Sequence, residues 1–300
     1  MKIKYFKAFF LVTTIILLVV TVRIVFFAEK NHSHHTHQSH DDNDHHKHSE
    51  KDQIDQVIEE ISTTDELQSF ESLPFTYQID QLIQKGDFKK FKATILAQDN
   101  IKDKINEYSP EDGRTLLTRA SFGAPIAYIK FLVEELGADV NAADRDKITP
   151  LMEAAASENY EVVEYLIEKN ADVNIQNKLG ADSLTISLAS GEASFATLLL
   201  ENGANPNHMW NNKNFTHLMN AARSGHREVL NVLLKHSAQI NTQDDQGNTA
   251  LHYAASQGFT EIVQDLLKNN ADKNIQNKEM KKPIDLARES NNTATEQALK

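Results

Sequence analysis

Apolar residues follow three regimes along this chain. Ala8 to Ala28 is an almost unbroken apolar run, AFFLVTTIILLVVTVRIVFFA, with Arg23 as its one charge. From Glu29 to Thr76 the pattern dissolves into His, Asp, Glu and Ser, and Ile54, Val57, Ile58 and Ile61 alone keep a helical spacing. From Ile79 onward apolar residues return in short helical stripes, and these stripes recur. In the stretch ending at Asn274, Leu251, Ala254 and Ala255 mark a first helix that Thr249 can cap and Gly258 breaks. Ile262, Val263, Leu266 and Leu267 mark the apolar face of a second helix. The tetrad Asp244-Asp245-Gln246-Gly247 reads as the turn that opens the unit, and Asn270-Ala271-Asp272 closes it.

The closing Asn recurs at Asn141, Asn174, Asn207, Asn241 and Asn274, at intervals of 33, 33, 34 and 33 residues. A period of this length means stacked supersecondary units. Each is too small to bury its own apolar face and depends on its neighbours. The residues at fixed offsets sharpen the reading. Thr149-Pro150-Leu151-Met152-Glu153-Ala154-Ala155 leads to Ala171-Asp172-Val173-Asn174, and Thr249-Ala250-Leu251-His252-Tyr253-Ala254-Ala255 leads to Ala271-Asp272-Lys273-Asn274.

This resembles the ankyrin repeat, whose pattern is D-x-x-G-x-T-P-L-H-x-A-A-x-x-G, then V-x-x-L-L, then G-A-D-x-N. The chain departs from it in places. One extra residue precedes Gly137, Asp182 and Ser183 stand for Thr and Pro, and Ser237-Ala238-Gln239 replaces Gly-Ala-Asp. The resemblance implies an all-α solenoid of helix-turn-helix-loop units with β-turn fingers, over residues 77–300. Within it 77–109 form an N-terminal cap, 110–276 the repeats and 277–300 a C-terminal cap. His252 falls at the family's T-P-L-H place, where the resemblance implies a bond to neighbouring backbone.

Residues 1–28 read as an N-terminal anchor. As a helix, 8–28 spans about 31 Å, close to a bilayer core. Lys2, Lys4 and Lys7 precede it and an acidic stretch follows, which predicts a cytoplasmic N-terminus and repeats on the far side, periplasmic in a bacterium. An uncleaved signal anchor is favoured, since bulky Phe26 sits where a cleavage site wants a small residue. Cleavage, releasing the array, is the alternative. Residues 29–76 read as a disordered linker.

That linker holds eight of the thirteen His: His32, His34, His35, His37, His40, His45, His46 and His48. Imidazoles beside Asp41, Asp42 and Asp44 suit Zn, Cu or Ni, or serve as a soluble spacer. No other cofactor is implied. Charge narrows the partners. Residues 77–300 hold 24 Lys and Arg against 31 Asp and Glu, a net of −7, which argues against nucleic acid. There is no cysteine, so no disulfide forms. No Ser-His-Asp arrangement, phosphate loop or H-E-x-x-H motif is present, so an enzyme is not expected.

What remains is a protein-binding surface on a monomeric array. In the family, finger tips and first helices line a concave face. Here the resemblance points to Arg145, Lys178, Leu179, Met209, Trp210, Phe215 and Gln246 on fingers, and Arg223 and Gln257 on first helices. The finger after Asn207 is one residue longer than its neighbours and carries the chain's single Trp. The expected function is binding a partner protein, as an inhibitor or immunity protein for a periplasmic enzyme or toxin. Metal handling through the His tract and scaffolding are the alternatives.

Overall fold

The structure, a computed structural model, describes residue 70, residues 72–210 and residues 213–300, with the backbone alone for Trp210. The apolar run 8–28, the His tract His32–His48 and the linker helix expected at Ile54–Ile61 lie outside the described residues. Among the described residues no helix is long and apolar enough to cross a membrane.

Helices come in antiparallel pairs, α1 (Phe75–Lys85) with α2 (Phe88–Leu96), then, after the single turn α3 (Ile101–Lys104), α4 (Leu116–Ser121) with α5 (Ile126–Lys130). Next come α6 (Pro150–Ala156) with α7 (Tyr160–Glu168), and α8 (Ser183–Ser187) with α9 (Ala193–Glu201). The series ends with α10 (His217–Ser224) and α11 (Arg227–Lys235), α12 (Ala250–Gln257) and α13 (Thr260–Lys268), and α14 (Pro283–Glu289) and α15 (Thr293–Leu299). First helices pack on first helices, as α4 on α6 and α12 on α14, and second on second, as α9 on α11 and α13 on α15.

The repeat residues explain each element. Thr115, Thr149 and Thr216 cap α4, α6 and α10 by accepting the backbone N–H three residues on. Asp182, in the Thr place, caps α8 in the same way. Pro150 and Pro283 occupy first-turn positions that lack an intrahelical N–H partner anyway. Ala154, Ala222, Ala254 and Ala255 are fully buried, which is how neighbouring backbones approach closely. Second helices are amphipathic: Val162, Val163 and Leu166 are fully buried while Glu161, Glu164 and Glu168 are exposed. The closing Asn residues stitch units together. Asn174 accepts the Asn205 N–H at 3.0 Å and donates to the Gly203 carbonyl at 3.0 Å. Asn141 and Asn241 accept from Asp172 and Asp272 in the same way.

Three local departures have physical causes. The extra residue before Gly137 is absorbed by a π-helical turn, Phe131–Glu135, that follows α5. One i→i+5 turn takes up one residue, so Gly137 re-enters the register in left-handed conformation at φ 75°. The N-terminal cap starts earlier than the expected boundary at 77: α1 begins at Phe75 and Phe70 is buried, with the Lys90 ammonium 4.1 Å from its ring. The array is also not purely helical. The long finger forms a two-stranded antiparallel ladder, β1 (Met209–Trp210) with β2 (Phe215–Thr216), pairing Met209 with Thr216 and Trp210 with Phe215.

Candidate partner-binding surface

Four fingers are each built around one carboxylate or amide. Asp144 Oδ1 accepts the N–H groups of Asp146 and Ile148, both at 2.8 Å. Asn177 takes those of Leu179 and Ala181, Asp244 those of Gln246 and Asn248, and Asn277 those of Glu279 and Lys281. The residue closing each turn adopts positive φ: Lys147 61°, Gly180 77°, Gly247 78° and Met280 60°. Adjacent fingers are joined by main-chain bonds, Arg145 N to Gly113 O at 3.1 Å, Lys178 N to Asp146 O at 2.9 Å, Asp245 N to Lys213 O at 3.0 Å and Lys278 N to Gln246 O at 2.9 Å. The tips are therefore held by backbone, which leaves their side chains available.

The long finger breaks this scheme for a reason legible in the repeat register. Counting three residues from the closing Asn gives Asp144, Asn177, Asp244 and Asn277 in four fingers and Trp210 in the fifth. An indole has no acceptor for those N–H groups. The finger turns instead as a hairpin, with Asn214 in left-handed conformation at φ 54° and one residue more.

The structure sorts the sequence candidates. Arg145, Lys178, Leu179, Met209, Gln246 and Gln257 are exposed, Leu179 to 65 % and Met209 to 45 %. Lys178 shares its charge with Asp146 at 3.1 Å. Arg223 is half-buried, its guanidinium carbon 4.6 Å from the centre of the Phe215 ring. Phe215 itself corrects the expectation: at 4 % exposure it is a core residue, edge-on to Tyr253 at 5.4 Å, because its place in β2 turns it inward over the first helices. The side chain of Trp210 lies outside the described residues. Met280, exposed to 69 % on the last finger, and Phe122, exposed to 43 % just after α4, add apolar surface; Met280 was not among the candidates because its unit reads as a cap.

Behind the fingers lie buried charges that the sequence reading missed. Asp182 is 3.4 Å from His217 Nε2, and Thr185 Oγ1 bridges them at 2.7 Å and 2.9 Å. Burial raises the Asp182 pKa, but bonds and charge from His217 and bonds from Thr185 outweigh it and hold the carboxyl below its usual range. The signal was an Asp in one unit's Thr place and a His just after the next unit's Thr. Glu153, buried and paired with Arg114 at 3.1 Å, has its carboxyl pushed up by burial. His208 is fixed between the Gly180 carbonyl at 2.7 Å and Gln176 at 3.1 Å. Gln176 and His208, with Asn174, Asn205 and Asp182, line an open polar cleft of 280 Å³. Among the described residues no group of three His, Asp or Glu has metal-holding geometry. His217 is fully buried and Asp182 2 % exposed, so their contact joins two neighbouring units from within the array.

Comparison with known proteins agrees with this architecture. The family described as "Ankyrin repeats (3 copies)" matches residues 80–177 and 184–277. The ankyrin repeat protein YahD of Escherichia coli K12 is 26% identical over 188 residues, covering 61% of this chain and 90% of that protein. The ankyrin repeat and KH domain-containing protein mask-1 of Caenorhabditis elegans is 30% identical over 141 residues, 46% of this chain and 5% of the relative, and the fowlpox virus ankyrin repeat protein FPV031 is 32% identical over 145 residues, 47% of this chain and 42% of the relative. These last two alignments thus leave most of each relative's length unspanned. A chain in the structure of the Bd0816 predatory endopeptidase from Bdellovibrio bacteriovorus in complex with immunity protein Bd3460 superposes with a TM-score of 0.57 at 29% identity, over 64% of this chain and 98% of that chain. With the family match running across more than half of its length, and with Asx-turned fingers, Thr-capped first helices and Asn stitching repeating in register, this chain belongs to the ankyrin repeat family.

Proposed function

We propose that the array binds a protein partner across its fingers and first helices and acts as an inhibitor or immunity protein for an extracytoplasmic enzyme. The observation that carries this is the finger row itself. Backbone bonds from finger to finger leave Arg145, Leu179, Met209, Gln246 and Met280 exposed on a preorganised scaffold, so little ordering entropy is lost on binding. Exposed Leu and Met beside Arg are suited to a protein interface, which draws its affinity from a few anchors. The neighbouring structure, in which an endopeptidase is bound by an immunity protein, supports the choice of an enzyme as partner. Anchoring through residues 8–28 with the repeats outside the cytoplasm completes the proposal and rests on the apolar run and the Lys-rich start alone.

The experiment is capture from native envelope extract on the full chain, followed by assay of the captured enzyme. A one-to-one complex that suppresses the enzyme, survives chelator and is lost in Leu179→Ala, Met209→Ala or Trp210→Ala supports the reading. A complex lost with chelator or with deletion of His32–His48 would transfer the function to the metal-binding tract. A reporter fused after Thr76 tests topology, and activity of a cytoplasm-only reporter sinks the orientation.

A further inference from the structure

Six arginines lie among the described residues, and four have carboxylates. Arg114 meets Glu153 at 3.1 Å, Arg119 meets Asp80 at 2.6 Å and also Asp112, Arg227 meets Asp265 at 2.6 Å and Glu261 at 2.8 Å, and Arg288 meets Glu296 at 3.0 Å. Arg145 and Arg223 have no carboxylate within ion-pair distance among the described residues. Arg145 is exposed and water serves it. Arg223 is half-buried, and burial works against its charge. Its contacts are the Phe215 ring face and a 3.5 Å bond to Asn220 Oδ1.

The acid on this side of the array is already committed. Asp244 Oδ2 accepts the Tyr253 hydroxyl at 2.5 Å and Oδ1 accepts two finger N–H groups at 2.8 Å. Tyr253 donates its hydroxyl hydrogen bond to Asp244 and has its pKa raised to about 12, by burial first and then by that bond, so it keeps its proton and brings no negative charge to Arg223 at neutral pH. The half-buried guanidinium is thus partly withdrawn from water without gaining an anion, and its one hydrogen bond to a side chain among the described residues is the long one to Asn220. Its orientation is set from below: Phe215 is buried and braced edge-on by Tyr253. A planar fork held flat on a ring is a bidentate carboxylate receptor.

We propose that Arg223, stacked on Phe215 between the long finger and α12, is the docking point for an acidic side chain of a partner protein, whose Asp or Glu carboxylate completes the ion pair. This rests on the reading of the finger face as the interface and adds the chemistry it selects. The array's own net negative charge disfavours a phosphate dianion or a nucleic-acid backbone at this place.

The test is an NMR titration of the ¹⁵N-labelled full chain, following the Arg223 Nε–Hε resonance, assigned by its loss in Arg223→Lys. The probes are the capped peptide acetyl-Gly-Gly-Glu-Gly-Gly-amide, its Gln counterpart with a free C-terminal carboxylate, and inorganic phosphate. The Glu peptide is expected to shift the Arg223 resonance saturably and leave paired Arg227 unmoved; followed through the backbone amides of Asn220 and Ser224, which every variant keeps, it is expected to bind about tenfold more weakly to Arg223→Gln. The Gln peptide and phosphate are expected to shift it less. Should Arg223→Gln fail to fold, Arg223→Lys, which keeps the charge without the fork, is expected to bind the Glu peptide several-fold more weakly. No saturable shift, or an equal or stronger response to phosphate or the free C-terminus, overturns the proposal. Because the peptide reports on Arg223 directly, its failure is separable from failure of partner capture: a captured enzyme with a silent Arg223 removes only this docking point.

Discussion

At His252 the two ring nitrogens serve two units. Nδ1 accepts the Thr249 N–H at 3.1 Å inside its own unit, and Nε2–H donates to the Lys281 carbonyl at 3.1 Å in the next. That division requires the neutral ring, because a proton on Nδ1 would face the Thr249 N–H. Burial, opposed by the Lys281 bond and the Asp244 charge, holds its pKa below the ordinary histidine value. The unfolded chain therefore protonates first. The stability His252 contributes is complete above the unfolded value, declines as pH falls below it, and goes on declining to the lower folded value. Between about pH 7.5 and 5, wild type should lose more stability than His252→Gln, measured by urea unfolding at each pH; an equal slope refutes this. Phe215 and Leu179 make a second contrast. Truncating buried Phe215 to Ala is expected to cost about 3–5 kcal/mol, and Leu179→Ala less than about 0.5 kcal/mol. Urea midpoints decide between these costs, and a costly Leu179→Ala would show that the exposed tip supports the fold.

The elements of the array tolerate irregularity where a local bonding scheme can absorb it. The π turn Phe131–Glu135 absorbs one residue between α5 and Gly137, and the β1–β2 hairpin absorbs another where Trp210 replaces the Asp or Asn that accepts the turn's N–H groups. Deleting Glu135 should let the α-helix run through, because Leu132 and Leu136 are already buried and Glu135 contributes only a surface pair with Lys92 at 2.8 Å. The expected change in unfolding free energy is within about 1 kcal/mol, read from the urea midpoint. A loss several times larger would mean that the π turn itself is required for α5 to dock. The long finger was legible in the sequence as a lengthened loop with a Trp. That it turns as a hairpin was not, because this follows from the absence of an acceptor at one repeat position.

For the molecule as a whole, each described unit is stable through the next one. Unit-to-unit bonds run through the Asn residues, the finger backbones, the buried pair Asp182 with His217 and the partly exposed pair Arg227 with Asp265. The C-terminal cap covers the last full unit, α14 against α12 and α15 against α13, with Ala287 and Leu299 buried in the contact. Truncation after Gln276 uncovers that apolar face. It is expected to lower the unfolding midpoint of the remaining array and to promote self-association, followed by denaturation and size-exclusion chromatography. An unchanged midpoint would show that the last full unit needs no cover.

The sequence alone determined the period and the helix pairs, because stacking imposes the same residue at the same offset in every unit and repetition reveals it. It also marked the finger residues, since a tip that does not stack is free to vary. Only the tertiary structure decided which marked residues face outward: Leu179, Met209 and Gln246 do, while Phe215 turns into the core. It also decided which charges are already paired. Arg119, Arg227 and Arg223 look alike in sequence, yet the first two meet carboxylates 39 and 38 residues away and the third meets an aromatic ring. Charge pairing across units depends on rotamers and on competing bonds, such as those that occupy Asp244, and neither is written in a repeat pattern.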